Sequence, residues 1–232
     1  MSTVGVTVEP TLDGWWFGVR DADGEVRESR GERRIVRAGE TLRYDGTPEV
    51  CRSGLHCSPN PLVALRAAPS RATVVHRVRL SGLIVAGTGL AQGKYASQAR
   101  TVLWAADAER TLRLVAADYA ERALLAERAR GREPGPRSWA AVEATRAYAR
   151  GEIDAARLAA AHAAAWAAAA WAADAAAAWA ARRAAGAAAW AAAWAAEAAA
   201  AWEAEAAAAW EAERAWQAEH LEAALMRLRG AA

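Results

Sequence analysis

AAAHAAAWAAAAWAADAAAAWAARRAAGAAAWAAAWAAEAAAAWEAEAAAA, residues 159–209, holds 37 alanines and six tryptophans in 51 positions. No packed globular core needs that composition. Alanine has the highest helix propensity of any residue, so the tract predicts helix over its whole length. The helical run widens outward from it, starting near Ile153 and ending near Gly230. Continuous, it would be about 110 Å long at about 1.5 Å per residue. Gly186 sits near its middle and is the weakest point, although one glycine costs only about 1 kcal/mol in a helix. The tryptophans fall at Trp166, Trp171, Trp179, Trp190, Trp194, Trp202, Trp210 and Trp216. Several are eight residues apart, a step that drifts about 80° around a helix. They therefore form no straight stripe, and a simple coiled-coil seam is disfavoured. Two readings follow: the run folds back into packed helices, as a hairpin or bundle, or it protrudes as a long rod. Tryptophans left exposed would make an interaction surface.

The tract does not read as a membrane span. A span needs about 20 mostly apolar residues, and His162, Asp174, Arg182, Arg183, Glu197, Glu203 and Glu205 interrupt it. A helix lying on a membrane surface would want many basic residues on its polar face. Only the Arg182–Arg183 pair is offered. The acidic residues Glu197, Glu203, Glu205, Glu211, Glu213, Glu219 and Glu222 read as a solvated face, with Arg214 and Arg227 as counter-charges.

At 232 residues the chain has room for one or two domains. Its formal net charge is +2, so no global field for nucleic acid is expected. The 29 basic residues include a single lysine, Lys94, and arginine over lysine with abundant alanine points to a GC-rich coding sequence. The opening residues MSTVGVTVEP lack a basic-then-apolar signal pattern. Two cysteines, Cys51 and Cys57, are too few for a disulfide scaffold. A cytoplasmic, reducing setting is expected.

The chain changes character near residue 97. Residues 1–96 read as a small α+β domain built on a mixed β-sheet, residues 97–150 as a helical connector, and residues 151–232 as the Ala/Trp-rich helical region. In the first part, Trp15, Trp16, Phe17 and Val19 lie between the turn signals Asp13-Gly14 and Asp23-Gly24 and predict a strand. Val26, Ile35 with Val36, and Thr41 to Tyr44 mark further short extended pieces. Asn60 is a good helix cap and Pro61 a good first helical residue, predicting a short helix over Pro61 to Ala67. Val74, His76, Val78 and Leu80 alternate as one face of a half-buried strand, which Ser81-Gly82 should break. From Ser97 everything reads as helix, with Ser138 as the cap of a later one and Gly151 as an interruption.

Two segments invite a chemical reading. Cys51-Arg-Ser-Gly-Leu-His-Cys57, with His76, could supply four zinc ligands. Zinc ligands usually come as closely spaced pairs, which these are not, so no metal is expected and buried cysteines with a satisfied histidine fit better. Val85-Ala-Gly-Thr-Gly-Leu-Ala-Gln-Gly-Lys94 follows an apolar strand as a phosphate-binding loop would. Its spacing fails: Thr88 stands where a glycine is required, and Tyr95 where a metal-binding hydroxyl is required. Lys94 at an expected helix start, with Arg100 two turns on, reads as a solvated surface pair or as a simple anion site.

Gly39-Glu40 followed by Cys51-x-x-Gly54-Leu55-His56-x-Ser58-x-x-Pro61-x-x-Ala64-Leu65 resembles a family of phage and bacterial proteins of unknown function. In that family a Val-rich strand and a glycine follow, as in Val74 to Gly82. A lysine and an arginine then open a helix, similar to Lys94 and Arg100. Its Ala-rich tails end in a Trp-Gln pair and leucines, similar to Trp216-Gln217, Leu221 and Leu225, and to the tails of immunity-type proteins. The resemblance spans nearly the whole chain, and Cys57 falls at a variable position of the motif. It implies a phage or mobile-element setting and no activity; Cys51, Gly54, His56, Ser58, Lys94 and Arg100 are the candidate ligand-binding residues, with a structural corner as the other reading of the GLHxSxxP segment. The order strand, GLHxSxxP, short helix, strand also loosely resembles small ADP-ribosyltransferase-like folds. Such an enzyme needs a catalytic glutamate on a late strand, and Glu40 and Glu49 come too early.

The sequence thus predicts a non-enzymatic binding, interaction or assembly protein, without cofactor, that meets a protein partner or itself. An ADP-ribosyltransferase-like or other nucleotide-ligand enzyme is the alternative, and a structural rod or filament component the third.

Overall fold

A computed structural model describes residues 11–28, 33–69, 72–169 and 204–230. The chain is mixed α+β and divides into two compact units between Ala106 and Asp107. The sheet unit thus reaches beyond the expected boundary at residue 96.

Five antiparallel strands build the sheet: β1 (Leu12–Gly18), β2 (Thr41–Arg43), β3 (Leu55–Cys57), β4 (Val74–Ala86) and β5 (Tyr95–Asp107). Their order is β1-β4-β5-β2, with β3 also on β5. Register pairs Trp15 with Arg77, Arg43 with Ala99 and His56 with Ala96. Just past β3, Ser58 bridges back to β1: its carbonyl accepts from the Trp15 N–H at 2.7 Å and its N–H donates to the Trp15 carbonyl at 3.1 Å. The sheet therefore curls round until its first strand meets the end of its third. Gly14 permits this closure, because a Cβ there would lie 2.5 Å from Cys57 Sγ and 2.9 Å from the Ser58 carbonyl oxygen.

One face of the sheet buries Val36, Cys57, Val78, Leu80 and Val102, with Trp16 and Ile84 against them. Helix α1 (Pro61–Ala67) packs near β1 and starts as expected: Asn60 Oδ1 accepts from the N–H groups of Leu62 (2.9 Å) and Val63 (3.3 Å). Two expectations need correction here. Ser81-Gly82 does not end β4; Gly82 takes a positive φ of 73° inside the strand, and Gln98 Oε1 accepts the Leu83 N–H. Residues 97–107 are strand, not helix, because β4 flanks β5 on one side and β2 and β3 pair along it on the other. The Val85–Lys94 segment is consequently the tip of a β-hairpin, closed by the Gly87 N–H donating to the Lys94 carbonyl at 2.8 Å.

The second unit holds α2 (Glu109–Ala129), α3 (Pro136–Arg150), α4 (Ala155–Ala169) and α5 (Ala204–Leu228). α3 opens at Pro136 with Gly135 before it, so Ser138 is a buried residue of the first turn rather than the cap. Gly151 ends α3 in the left-handed conformation, and Asp154 Oδ1 caps α4 by accepting from the Arg157 N–H at 2.8 Å. Ala120 and Leu124 meet Val142, and Ala141 meets Ala165. Contacts of Asp118, Tyr119 and Arg122 with His220, Gln217 and Glu213 run in opposite order along α2 and α5. α3 opposes both α2 and α4, so α4 and α5 point in opposite directions and one straight rod from Ile153 to Gly230 is excluded. Trp171, Trp179, Trp190, Trp194 and Trp202 lie outside the described residues, as does the side chain of Trp166. Among the described residues no helix is long and apolar enough to cross a membrane.

Candidate functional site

The segment from Glu49 to Ser58 folds back on itself before it reaches the sheet. Glu49 and Ser53 exchange N–H···O bonds of 3.1 and 2.9 Å, and the turn between them puts Cys51 at φ +68°. That left-handed conformation presents the Cys51 N–H to His56 Nε2, 3.1 Å away. A ring nitrogen that accepts leaves the proton of the neutral imidazole on Nδ1. Gly54 follows at φ +85°, where a Cβ would stand 2.9 Å from Pro48 Cβ and 3.0 Å from the Ser97 carbonyl oxygen. Glycine is required there so that the loop can lie against β5. Ser58 is buried, and its Oγ accepts the Asn60 N–H at 3.2 Å, which sets the turn into α1.

These residues line a cavity of about 630 Å³ within the sheet unit, and Lys94 and Arg100 line it too. All six candidate ligand-binding residues, Cys51, Gly54, His56, Ser58, Lys94 and Arg100, thus meet at one pocket. The geometry that unites them differs from the expected one. Lys94 ends the hairpin tip and Arg100 lies on β5, so neither opens a helix and no helix N-terminus contributes. α1 supplies an apolar wall through Val63, Ala64 and Ala67, and Trp16 and Tyr44 add aromatic surface.

The charge of the lining is lopsided. Five cations, Arg34, Arg43, Arg52, Lys94 and Arg100, face two carboxylates, Glu28 and Asp45. Arg100 is 1 % exposed; its guanidinium donates to the His56 carbonyl and to Glu28 Oε1, both at 3.1 Å, and lies 4.5 Å over the Trp16 ring. Burial lowers its proton affinity from the ordinary arginine value, and the Glu28 charge opposes that. Arg34 grips Glu28 Oε2 through Nε (3.3 Å) and Nη2 (3.1 Å) and donates to the Arg43 carbonyl. Arg52 pairs with Glu49 at the surface. Among the described residues Lys94 and Arg43 have no acidic partner.

Neither Cys57 nor His76 is poised for chemistry. Burial pushes the Cys57 thiol up to about 12, so it stays protonated and unreactive. Burial, with the Arg100 charge adding to it, pushes His76 down to about 3; its ring packs 4.7 Å from that of Trp16. Among the described residues no group of three His, Cys, Asp or Glu side chains is placed to hold a metal ion.

Sequence reasoning missed Glu28, Arg34, Arg43, Tyr44 and Trp16. The adjacency of Trp15 and Trp16 on one strand was a usable signal, since neighbours on a strand face opposite sides. Arg43 becomes findable once β5 is known to be a strand, because the pairing then sets it opposite Ala99. Glu28 carries no local signal at all. Of the tryptophans within the described residues, Trp210 lies under Arg214 at 5.5 Å. Trp216 is engaged within its own unit: it stacks on His220 at 4.9 Å, meets Tyr119 edge-on at 5.6 Å and carries Arg122 at 4.2 Å over its ring.

Comparison of the chain with protein-family models, curated proteins and solved structures finds no match.

Proposed function

We propose that the sheet unit is a binding module for a small ligand of the nucleotide class, one that carries phosphate at one end and a flat ring at the other. The reading rests on one observation: a cavity of about 630 Å³ lined by five cations against two carboxylates, with Lys94 and Arg43 lacking an acidic partner among the described residues. Ligand pockets commonly measure about 300–1,000 Å³ and place a few polar groups in an apolar wall. Trp16, Tyr44 and the alanine-rich face of α1 supply that wall. Arginine forks suit phosphate oxygens, and a ring stacks on indole or phenol.

Binding is favoured over turnover by the content of the late strands. β4 (VVHRVRLSGLIVA) and β5 (YASQARTVLWAAD) contain no glutamate, the residue that an ADP-ribosyltransferase-like mechanism asks of them. Of the two pocket carboxylates, Glu28 is tied to Arg34 and Arg100. The protein then acts by binding, in the phage or mobile-element setting that the GLHxSxxP resemblance implies. Its Ala/Trp-rich helices serve as the surface for a protein partner or a second copy. Truncating the helical unit is a poor test of that surface, because α5 buries Leu221 and Leu225 within it. Light scattering on the full chain at several concentrations reports self-association without that damage.

The pocket is tested by calorimetric titration of the full chain with ADP and NAD at low salt, beside adenosine and pyrophosphate. ADP is expected to bind, and Arg43→Ala and Lys94→Ala are each expected to weaken it about tenfold, as the loss of one charge-assisted contact does. Absence of binding by the unsubstituted chain, or affinities that both substitutions leave alone, would sink the proposal.

A further inference from the structure

We infer that Arg34 and Arg100 form a phosphate subsite that the protein's own Glu28 carboxylate occupies and gives up to the ligand's phosphoryl group. The inference rests on the nucleotide-binding reading of the same pocket.

The geometry is that of an oxyanion held between two guanidinium groups. Glu28 Oε1 sits 3.1 Å from Arg100 Nη2, and Glu28 Oε2 sits 3.1 Å from Arg34 Nη2 and 3.3 Å from Arg34 Nε. Each carboxylate oxygen thus serves one arginine. A phosphoryl group has the same bite between two of its oxygens and keeps a third for another donor. Such a donor exists: Arg100 Nε is buried and has no hydrogen-bond partner among the described residues. A buried N–H left unmatched is costly, and an ion with only two oxygens does not satisfy it.

Charge counting points the same way. One carboxylate faces two guanidinium groups, so one positive charge is left over, and Arg43 lines the same cavity without an acidic partner among the described residues. A phosphate dianion would balance the pair. Access also orders the exchange. The Glu28 side chain is 14 % exposed and that of Arg100 only 1 %, so the carboxylate is the more open of the two to an incoming anion. A buried guanidinium cannot be left without a counter-charge; the exchange replaces one anion with another and never strips it.

The experiment compares the unsubstituted chain with Glu28→Gln and Glu28→Asp, using ADP for affinity and inorganic phosphate for thermal stability. Glu28→Gln is expected to bind ADP at least tenfold more tightly than the unsubstituted chain. It is also expected to melt lower in phosphate-free buffer and to regain more of its melting temperature on adding phosphate than the unsubstituted chain gains. Glu28→Asp, with a carboxylate one methylene shorter, is expected to shift in the same direction by less. If the unsubstituted chain binds ADP and Glu28→Gln binds it no more tightly, Glu28 only positions the two arginines and the inference is wrong. If Glu28→Gln folds in no buffer and Glu28→Asp binds ADP like the unsubstituted chain, it is equally wrong. Phosphate rescue of Glu28→Gln in a protein that never binds ADP would keep the subsite and remove the nucleotide. Firm ADP binding that Glu28 does not modulate would keep the nucleotide and remove the exchange.

Discussion

At the residue scale, Gly54 and Cys51 sit three positions apart in the loop that shapes the pocket, both at positive φ, and for different reasons. Gly54 has no alternative: φ is +85°, and any Cβ would press on Pro48 and on the backbone of β5. Cys51 bears a side chain at φ +68°, a conformation that costs an L-residue about 1–2 kcal/mol, and it faces solvent. Gly54→Ala is therefore expected to lower unfolding free energy in urea by about 2 kcal/mol or more, combining left-handed strain with the close contacts. Cys51→Gly is expected to fall within about 1 kcal/mol of the parent, since relief of strain offsets the added freedom of the unfolded chain. A Gly54→Ala protein as stable as the parent would show that the loop can slide away from β5. The motif GLHxSxxP drew attention to Gly54 and His56 from sequence, and the pocket contains both. What the motif could not reveal was the reason for each residue. Gly54 makes room, Ser58 closes the sheet and sets the helix turn, and His56 ties down the strained loop. Only Lys94 and Arg100 among the six bring charge.

At the element scale, legibility depended on whether local pattern and tertiary setting agreed. α1 was readable to its exact ends because Asn60, Pro61 and Pro69 each act locally. β5 was not. YASQARTVLWAAD is full of good helix formers, and its middle is buried on both faces, so the two-residue alternation of a half-buried strand is erased. Its neighbours in the sheet decide its conformation, and one sequence cannot display them. α5 shows the opposite case. The contrast between its faces is weak because alanine fills both, yet Gln217, Leu221, Ala224 and Leu225 are buried at helical spacing while Met226 is 40 % exposed. Leu221→Ala is thus expected to cost about 2–5 kcal/mol, and Met226→Ala no more than about 0.5 kcal/mol. Urea titration followed by far-ultraviolet circular dichroism reads both. Equal, small losses would mean that α5 is not docked on α2 in solution.

At the scale of the whole molecule, each unit buries a histidine in its neutral form. His76 lies in the sheet unit, and burial pushes it down to about 3. His162 lies between α3 and α4, and burial lowers it as well. The reason for the second is visible in its hydrogen bonds. The Thr145 hydroxyl donates to the Ala141 carbonyl at 2.8 Å, so His162 Nε2 must be the donor in its 3.0 Å bond to Thr145 Oγ1. Nδ1 is then buried and without a partner among the described residues, and a proton placed on it would find nothing there to bond. For both histidines the unfolded chain, titrating near about 6.5, binds protons that the folded chain refuses. Stability is therefore fully present above that pH and falls as pH drops below it, by up to about 1.4 kcal/mol per pH unit for each histidine. The carboxylates held low by arginines, among them Asp13 by Arg79 and Glu127 by Arg132, lose their contributions only as pH falls through the carboxylate range. The interval between about pH 6.5 and 5 consequently belongs to the histidines. Urea midpoints are expected to drop across it, with His76→Gln and His162→Gln each removing part of the slope. A parent protein equally stable at pH 7 and pH 5 would mean that one or both rings reach water when protonated, and that the two cores are looser than their burial implies.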